Sequence, residues 1–585
     1  MKENKKKVIF FLKEPEEIRL PIYQRNATAW TEEQLEKLID DIIKSNETGK
    51  KNNLLAVYYQ MIEDEKDEIP FMLLVDGQQR TTNMSLLIAC IAEFKKNNPQ
   101  VNFGKTKEGL MDYYLFKTGN KTPKLKLKFN DELSYKKILD IVSSDIPATY
   151  KNLPNHKLSD NFLTLQKFIN EDNVIELWEG IKNTYFNPIE LDEDDDPNQI
   201  FNSINLNFGT SLHLDEQLFN HIYKLLEYDV DKATMLAEHY WEPMARRYED
   251  VYYKKRPLFD IFVRTFLSVN DLIMPTPFKS LYDKMCDFLN SSEDICETVI
   301  SFCELGHHFI DIYTLSTDSP IINEKFQHLK YFGFDWIICG FKIYNDYIKG
   351  IINLNELLSI LDTLESYVFR LKMSIHTKNL SAMIPALLKV IKNLDETNYI
   401  ASFNYLLLNI KGKGQFYNDN DVCLSFSHLN FYEACRGDLF KYVWCKLNSL
   451  LNPKEIPKMT DITQHDHINA QQPTSKTRER WGDLFNVYYE RDNNLIGNLT
   501  ATGYNQEFGN KDYIDKMERY SQSNFQCNRE LVKEYPEMTH KDIVKRTNIL
   551  AKRCCEIWSM PTNKEFKLER YSDINPYNKA NKQKL

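Results

Sequence analysis

The chain has 585 residues, 74 Lys+Arg against 84 Asp+Glu for a formal charge of −10, and a hydrophobic fraction of 42%. That length predicts about three to four domains, and 34 Phe and 33 Tyr exclude a disordered polymer. The charge excludes non-specific coating of DNA by the whole chain, no apolar run approaches the ~20 residues that span a bilayer, and eleven scattered cysteines without C-x-x-C spacing argue against a disulfide framework or a cysteine-ligated zinc. The apolar piece before Lys13-Glu14-Pro15 is too short for a signal peptide, so a cytoplasmic location is expected.

In chain order, Glu32 to Ile43 has helical spacing, with Thr31 as N-cap and Leu35, Leu38, Ile39 and Ile42 on one face. Leu54 to Tyr59 and Phe71 to Val75 read as strands flanking the acidic loop Glu63 to Glu68. The second strand stops at Asp76-Gly77, a pair that permits an unusual turn, and Met84, Leu87, Ile88, Ile91 and Ala92 then recur at helical spacing. Gln78, Gln79 and Arg80 therefore fall at a helix start, where free N–H groups and the helix dipole suit phosphate. Arg80 adds a guanidinium, and Asp76 is placed to hold a metal ion or position water. The same residues also fit an ordinary strand-turn-helix with a solvated polar start.

Lys124 to Phe129 alternates strictly, which predicts a half-exposed strand with Lys124, Lys126 and Lys128 on one solvated face. The run Asp192 to Asp196 reads as a hydrated loop rather than a metal site. From Asp215 to Asn452 the pattern is almost wholly helical, with Trp336, Tyr344, Tyr347 and Phe369 on apolar stripes, and Lys454 to Lys458 reads as a linker. From Ile456 onward there are 21 Lys+Arg against 18 Asp+Glu, so the C-terminal segment is the less acidic part and permits nucleic-acid contact. There Asp466-His467-Ile468 precedes a long insertion, followed by Gly497-Asn498-Leu499-Thr500 and Asn505. In a ββα-metal nuclease such a set surrounds one divalent ion: His467 would be the base, Asp466 and Asn505 oxygen ligands for Mg2+ or Mn2+, and Asn498 the residue that orients the His-bearing loop.

Three ordered motifs carry a family resemblance. Asp76-Gly77-Gln78-Gln79-Arg80-Thr81-Thr82 resembles the DGQQR signature of the ParB/sulfiredoxin-like domain in GmrSD-type modification-dependent restriction proteins and their anti-phage relatives. Pro21-Ile22-Tyr23-Gln24-Arg25, with Trp30-Thr31 and Leu38 to Ile42, and Ile200 to Leu212, with Asn205 and Gly209, are similar to that family's flanking segments. The C-terminal stretch, including Leu495 to Thr500, Asn505, Asn510-Lys511, Lys516, Arg546 and Ile557-Trp558, is similar to the HNH domain fused to DGQQR domains. One departure is Ala470, where the family usually has proline two residues after His-Ile.

The resemblance implies an α+β multidomain protein: a ParB/sulfiredoxin-like nucleotide-hydrolysing domain over 1–214, a helical connecting domain over 215–455 and an HNH-like nuclease domain over 456–585. It implies that Gln24, Arg25, Asp76 to Arg80 and Asn205 bind a nucleoside triphosphate, with Asp76 acting in its hydrolysis. It implies metal-dependent DNA cleavage by His467, with Asn498 in the catalytic set, on phage or modified DNA. The partners it leaves open are a second copy of the chain or another defence protein. The alternative class is a nucleotide-binding sensor or assembly factor with a non-cleaving HNH fold, which Ala470 keeps in play.

Overall fold

The computed structural model describes residues 5–21, 30–48, 52–63, 70–192, 195, 197, 200, 213–227, 229–271, 277–375, 382–454, 457–462, 464–503 and 508–562. Gln24, Arg25, Asn205 and Asn505 lie outside them. The chain is a mixed α+β protein with two compact units, one formed by Met1–Ala245 with Cys286–Ile300 and the other by Arg246–Met285 with Ser301–Leu585.

The first unit is organised on a six-stranded mixed sheet of β1 (Lys6–Lys7), β2 (Ile18–Arg19), β3 (Asn52–Ile62), β4 (Phe71–Asp76), β5 (Leu125–Lys126) and β6 (Thr184–Glu190), in the order β1-β6-β3-β4-β2-β5. The two predicted strands form its antiparallel centre, with Tyr58 opposite Asp76 and Ile62 opposite Phe71. Parallel neighbours, β6 beside β3 and β2 beside β4, flank this centre along both edges. The helix Gln78–Asn97 leaves the end of β4 and is buried on nearly every face from Thr81 to Glu93, so it is the unit's central helix rather than an amphipathic cover.

The helix Glu32–Thr48 buries the four predicted apolar residues, and its start is closed reciprocally: the Thr31 N–H donates to Gln34 Oε1, and the Gln34 N–H donates to Thr31 Oγ1. It lies so close to the helix Val174–Lys182 that a Cβ on Gly180 would sit 2.3 Å from the Ile42 carbonyl oxygen.

The lysine strand is a correction. Only Leu125–Lys126 pair as strand, and Lys124 and Lys128 are buried while Lys126 is exposed. Lys124 folds its ammonium onto the Lys13 carbonyl at 2.7 Å, a long side chain satisfying a buried acceptor. Alternation in sequence thus does not produce a solvated cationic face here.

The second unit is mainly helical. Trp336, Tyr344 and Phe369 are buried in its core and Tyr347 is half-buried, as the apolar stripes predict. A short hairpin, β7 (Tyr252–Tyr253) and β8 (Arg256–Pro257), precedes the helix Leu258–Asp271. Near the C-terminus β9 (Gln464–His467) pairs antiparallel with β10 (Leu499–Thr502), and the helix Tyr513–Ser521 follows. The helix His540–Ile557 ends at Trp558, whose indole stacks on Phe369 with centroids 3.8 Å apart and donates to Glu365 Oε1 at 2.7 Å. The fully buried Arg370 donates to the carbonyls of Trp558 at 2.6 Å and Cys555 at 3.1 Å. These bonds fasten the C-terminal helix to the helix Leu354–Lys372 without leaving the buried guanidinium unsatisfied.

Among the described residues no helix is long and apolar enough to cross a membrane.

Candidate functional site

In the first unit the turn Asp76-Gly77 is the point from which the central helix starts. Gly77 has φ of 99°, in the left-handed region that favours glycine, and a Cβ there would lie 2.9 Å from Val57 Cγ2. Gly77, at the N-cap, has no side chain with which to close the helix start, whose first N–H groups point toward the turn. Arg80 is folded against this turn: Nη2 donates to Asp76 Oδ2 at 3.1 Å and to the Ala56 carbonyl on β3 at 2.9 Å. Burial lowers the Arg80 pKa, with Asp76 opposing that effect.

Four buried polar atoms around this helix start, Arg80 Nε, Gln78 Oε1, Thr81 Oγ1 and Thr82 Oγ1, lack a hydrogen-bond partner among the described residues. Buried polar groups are rarely left so. The donor set, a half-buried guanidinium with a helix N-terminus, fits an anionic ligand with further hydrogen-bonding groups.

In the second unit the strand β9 sends His465 and His467 to one face and Asp466 to the other, because alternate strand residues point oppositely. His467 is buried, with Nε2 3.1 Å from Asn494 Oδ1 and its ring centroid 4.7 Å from that of Tyr432. With the Asn494 oxygen as acceptor, Nε2 carries the ring proton and Nδ1 remains basic. Burial lowers the His467 pKa, the Asn494 hydrogen bond opposing and the Lys516 charge adding to the effect, so the ring is neutral at neutral pH. His465, two residues earlier, stacks on Phe440 with centroids 3.3 Å apart, and burial, with the charges of His467 and Arg436, pushes it down to about 3. The two histidines are thereby distinguished: His465 is packed against an aromatic ring, and His467 is hydrogen-bonded.

The turn after His467 is held by amides. Asn498, fully buried, accepts from the Asn469 N–H at 3.0 Å through Oδ1 and donates to the Asn469 carbonyl at 3.0 Å through Nδ2. This amide is enclosed by the chain, with both of its polar atoms engaged by the Asn469 backbone. Arg546, also buried, donates to the Gly497 and Leu499 carbonyls at 2.8 Å each. A Cβ on Gly497 would lie 2.2 Å from the Ile543 carbonyl oxygen, which explains the glycine before Asn498. At the position where the family usually has proline, the Ala470 carbonyl accepts from the Tyr489 hydroxyl and from Asn493 Nδ2. Side chains therefore fix the turn that proline would otherwise stiffen.

Asp466 does not fit the metal-ligand role. Lys516 Nζ lies 3.0 Å from Oδ1 and 3.2 Å from Oδ2, the Tyr520 hydroxyl donates to Oδ2, and the same ammonium donates to the His467 carbonyl at 2.8 Å. Burial raises the Asp466 pKa, and Lys516 and Tyr520 oppose this. Both oxygens are thus engaged on the strand face opposite His467. Among the described residues there is no group of three His, Cys, Asp or Glu able to hold a metal ion.

Sequence reasoning missed Asn494, Tyr432 and Phe440 around the histidines. The Asn493-Asn494 pair directly before the Leu495-Ile496-Gly497-Asn498 motif was a readable signal. The two aromatics, far upstream, carried none.

The family model of the GmrSD restriction endonuclease N-terminal domain matches residues 8–223, and that of the GmrSD restriction endonuclease C-terminal domain matches residues 417–553. The first match contains the Asp76–Arg80 turn, and the second contains His467 with Tyr432 and Phe440. Comparison with curated proteins gives no match. Carrying both domains of one family in order, the chain belongs to the GmrSD restriction endonucleases.

Proposed function

We propose that this restriction endonuclease cleaves phage or modified DNA at a centre where His467 is the general base, and that nucleoside triphosphate turnover at the Asp76–Arg80 turn regulates the cleavage. The carrying observation is the neutral His467 ring with Nε2 committed to Asn494, which leaves Nδ1 to take the proton of an attacking water. Asn498 and Arg546 keep the turn beyond it rigid, so that the ring needs no reorganisation at the moment of attack. A divalent cation, when bound, would stabilise charge on the phosphate and the leaving oxygen. Asp466 as it stands does not supply its ligand, and no step of this reading depends on the ion.

At the other site, the start of the helix with the Arg80 guanidinium, whose Nε lacks a partner among the described residues, would cradle a polyphosphate. Asp76, bonded to Arg80, would position water for hydrolysis.

The engagement of Asp466 by Lys516 and Tyr520 favours a second reading, in which the C-terminal fold binds DNA without cutting it. Nicking of modified and unmodified DNA by the purified chain in Mg2+ or Mn2+, with and without triphosphate, separates the two. Cleavage that requires His467 supports the first reading, and binding without cleavage in either metal supports the second.

A further inference from the structure

The hairpin β7–β8 turns through Lys254 and Lys255, with Tyr253 paired to Arg256 across the turn. Both lysines have positive φ, 48° and 67°. A two-residue turn of this kind is least strained with Asn-Gly, and bulky residues held in the left-handed region are a recurrent feature of binding sites.

The next residue, Arg256, stands over the Phe278 ring at 3.9 Å, and Arg264, from the helix Leu258–Asp271, stands over the same ring at 4.9 Å. Two guanidinium groups thus converge on one aromatic ring, although each raises the cost of the other's charge. Beside them opens a cavity of about 240 Å3, lined by Tyr253, Lys254, Arg256, Arg264 and Phe278 among others. Its described lining has three cationic side chains against one carboxylate, Asp335, and an apolar floor that includes Ile337.

We propose that this cavity binds one nucleotide unit, its phosphate held by Lys254, Arg256 and Arg264 and its ring packed against the aromatic and apolar wall. Cation and aromatic side chains together recognise this chemistry: guanidinium pairs with phosphate in two-point fashion, and a base stacks on an aromatic or guanidinium plane. Either a free nucleotide or one link of a DNA strand would present it. The site is independent of the roles assigned to His467 and to the Asp76–Arg80 turn.

The test is titration calorimetry of the full chain with thymidine 5′-monophosphate, the dinucleotide pTpT and unphosphorylated thymidine. The two phosphorylated probes should bind, with thymidine at least about tenfold weaker, since the charge-assisted contact is then missing. Tighter pTpT binding identifies a strand as the source, and tighter monophosphate binding identifies a free nucleotide. The double variant Lys254→Asn with Lys255→Gly should lose about tenfold in affinity, while its melting temperature equals or exceeds that of the wild type because the turn is relaxed. Arg256→Gln, at an exposed position, should lose a similar factor. Absence of binding by either phosphorylated probe, thymidine binding as tightly as its monophosphate, or full affinity in both variants would overturn the proposal.

Discussion

A nearly enclosed imidazole proposed as a base must be able to lose its proton, and at His467 burial lowers the pKa in that direction. His467→Ala should lower DNA nicking by roughly 10²–10⁴-fold, while triphosphate hydrolysis is retained, as assays of both activities on one preparation would reveal. Asp466 is expected to behave differently. It and Lys516 are both almost fully enclosed, so Asp466→Asn leaves a buried ammonium without its counter-charge. Breaking such a pair costs about 3–5 kcal/mol, and urea unfolding of the variant should register a loss of that size. A fully stable variant with a raised metal requirement would restore Asp466 as a metal ligand.

At the scale of elements, the start of the central helix depends on one glycine. Gly77→Ala forces a left-handed backbone onto alanine and drives its Cβ toward Val57, a cost of roughly 1–3 kcal/mol before any relaxation. Weaker triphosphate binding together with a lower unfolding midpoint is the expected result.

The helix Tyr513–Ser521 is capped by Asp512, which accepts from the Ile514 N–H at 3.1 Å, from Thr477 Oγ1 at 2.6 Å and from Arg480 Nη1 at 2.8 Å. Burial alone would raise this carboxyl, but those hydrogen bonds and the Arg480 charge outweigh it and hold the pKa at about 2. A folded-state value below the unfolded one contributes stability above the unfolded pKa and loses it as pH falls through the folded pKa. The contribution is roughly 2 kcal/mol at neutral pH. The stability gap between the wild type and Asp512→Asn should therefore be constant above about pH 5 and narrow as the pH falls toward 2, a trend that urea titrations across that range would detect.

For the whole molecule, the two proposed centres belong to different compact units. Nucleotide control of cleavage then requires that nucleotide bind two conformations of the chain with different affinity. Arg80→Ala should weaken triphosphate binding by about 1.5–3 kcal/mol, the range for a hydrogen bond to a charged group. It should also abolish the effect of triphosphate on nicking while basal nicking persists. An unchanged nucleotide response in that variant would leave two independent activities on one chain.

Local pattern was enough to read the strands Leu54–Tyr59 and Phe71–Val75, the Thr31 cap, the glycine-led helix start and the helical character of the middle. Each of these is set by neighbours within a few residues, through dihedral restriction and side-chain period. The DGQQR and His-Ile motifs likewise identified the family, because their residues are contiguous. The lysine stretch failed for the opposite reason: which of Lys124, Lys126 and Lys128 meets water is decided by what the rest of the fold lays over it. The same holds at the proposed nuclease centre. The sequence places Asp466 beside His467, but strand geometry turns them to opposite faces, and only the fold brings Lys516, 50 residues away, onto the carboxylate and Asn494 onto the imidazole. Such pairings rest on long-range packing in a low-dielectric interior, where an unpaired charge is costly and a distant partner is therefore recruited.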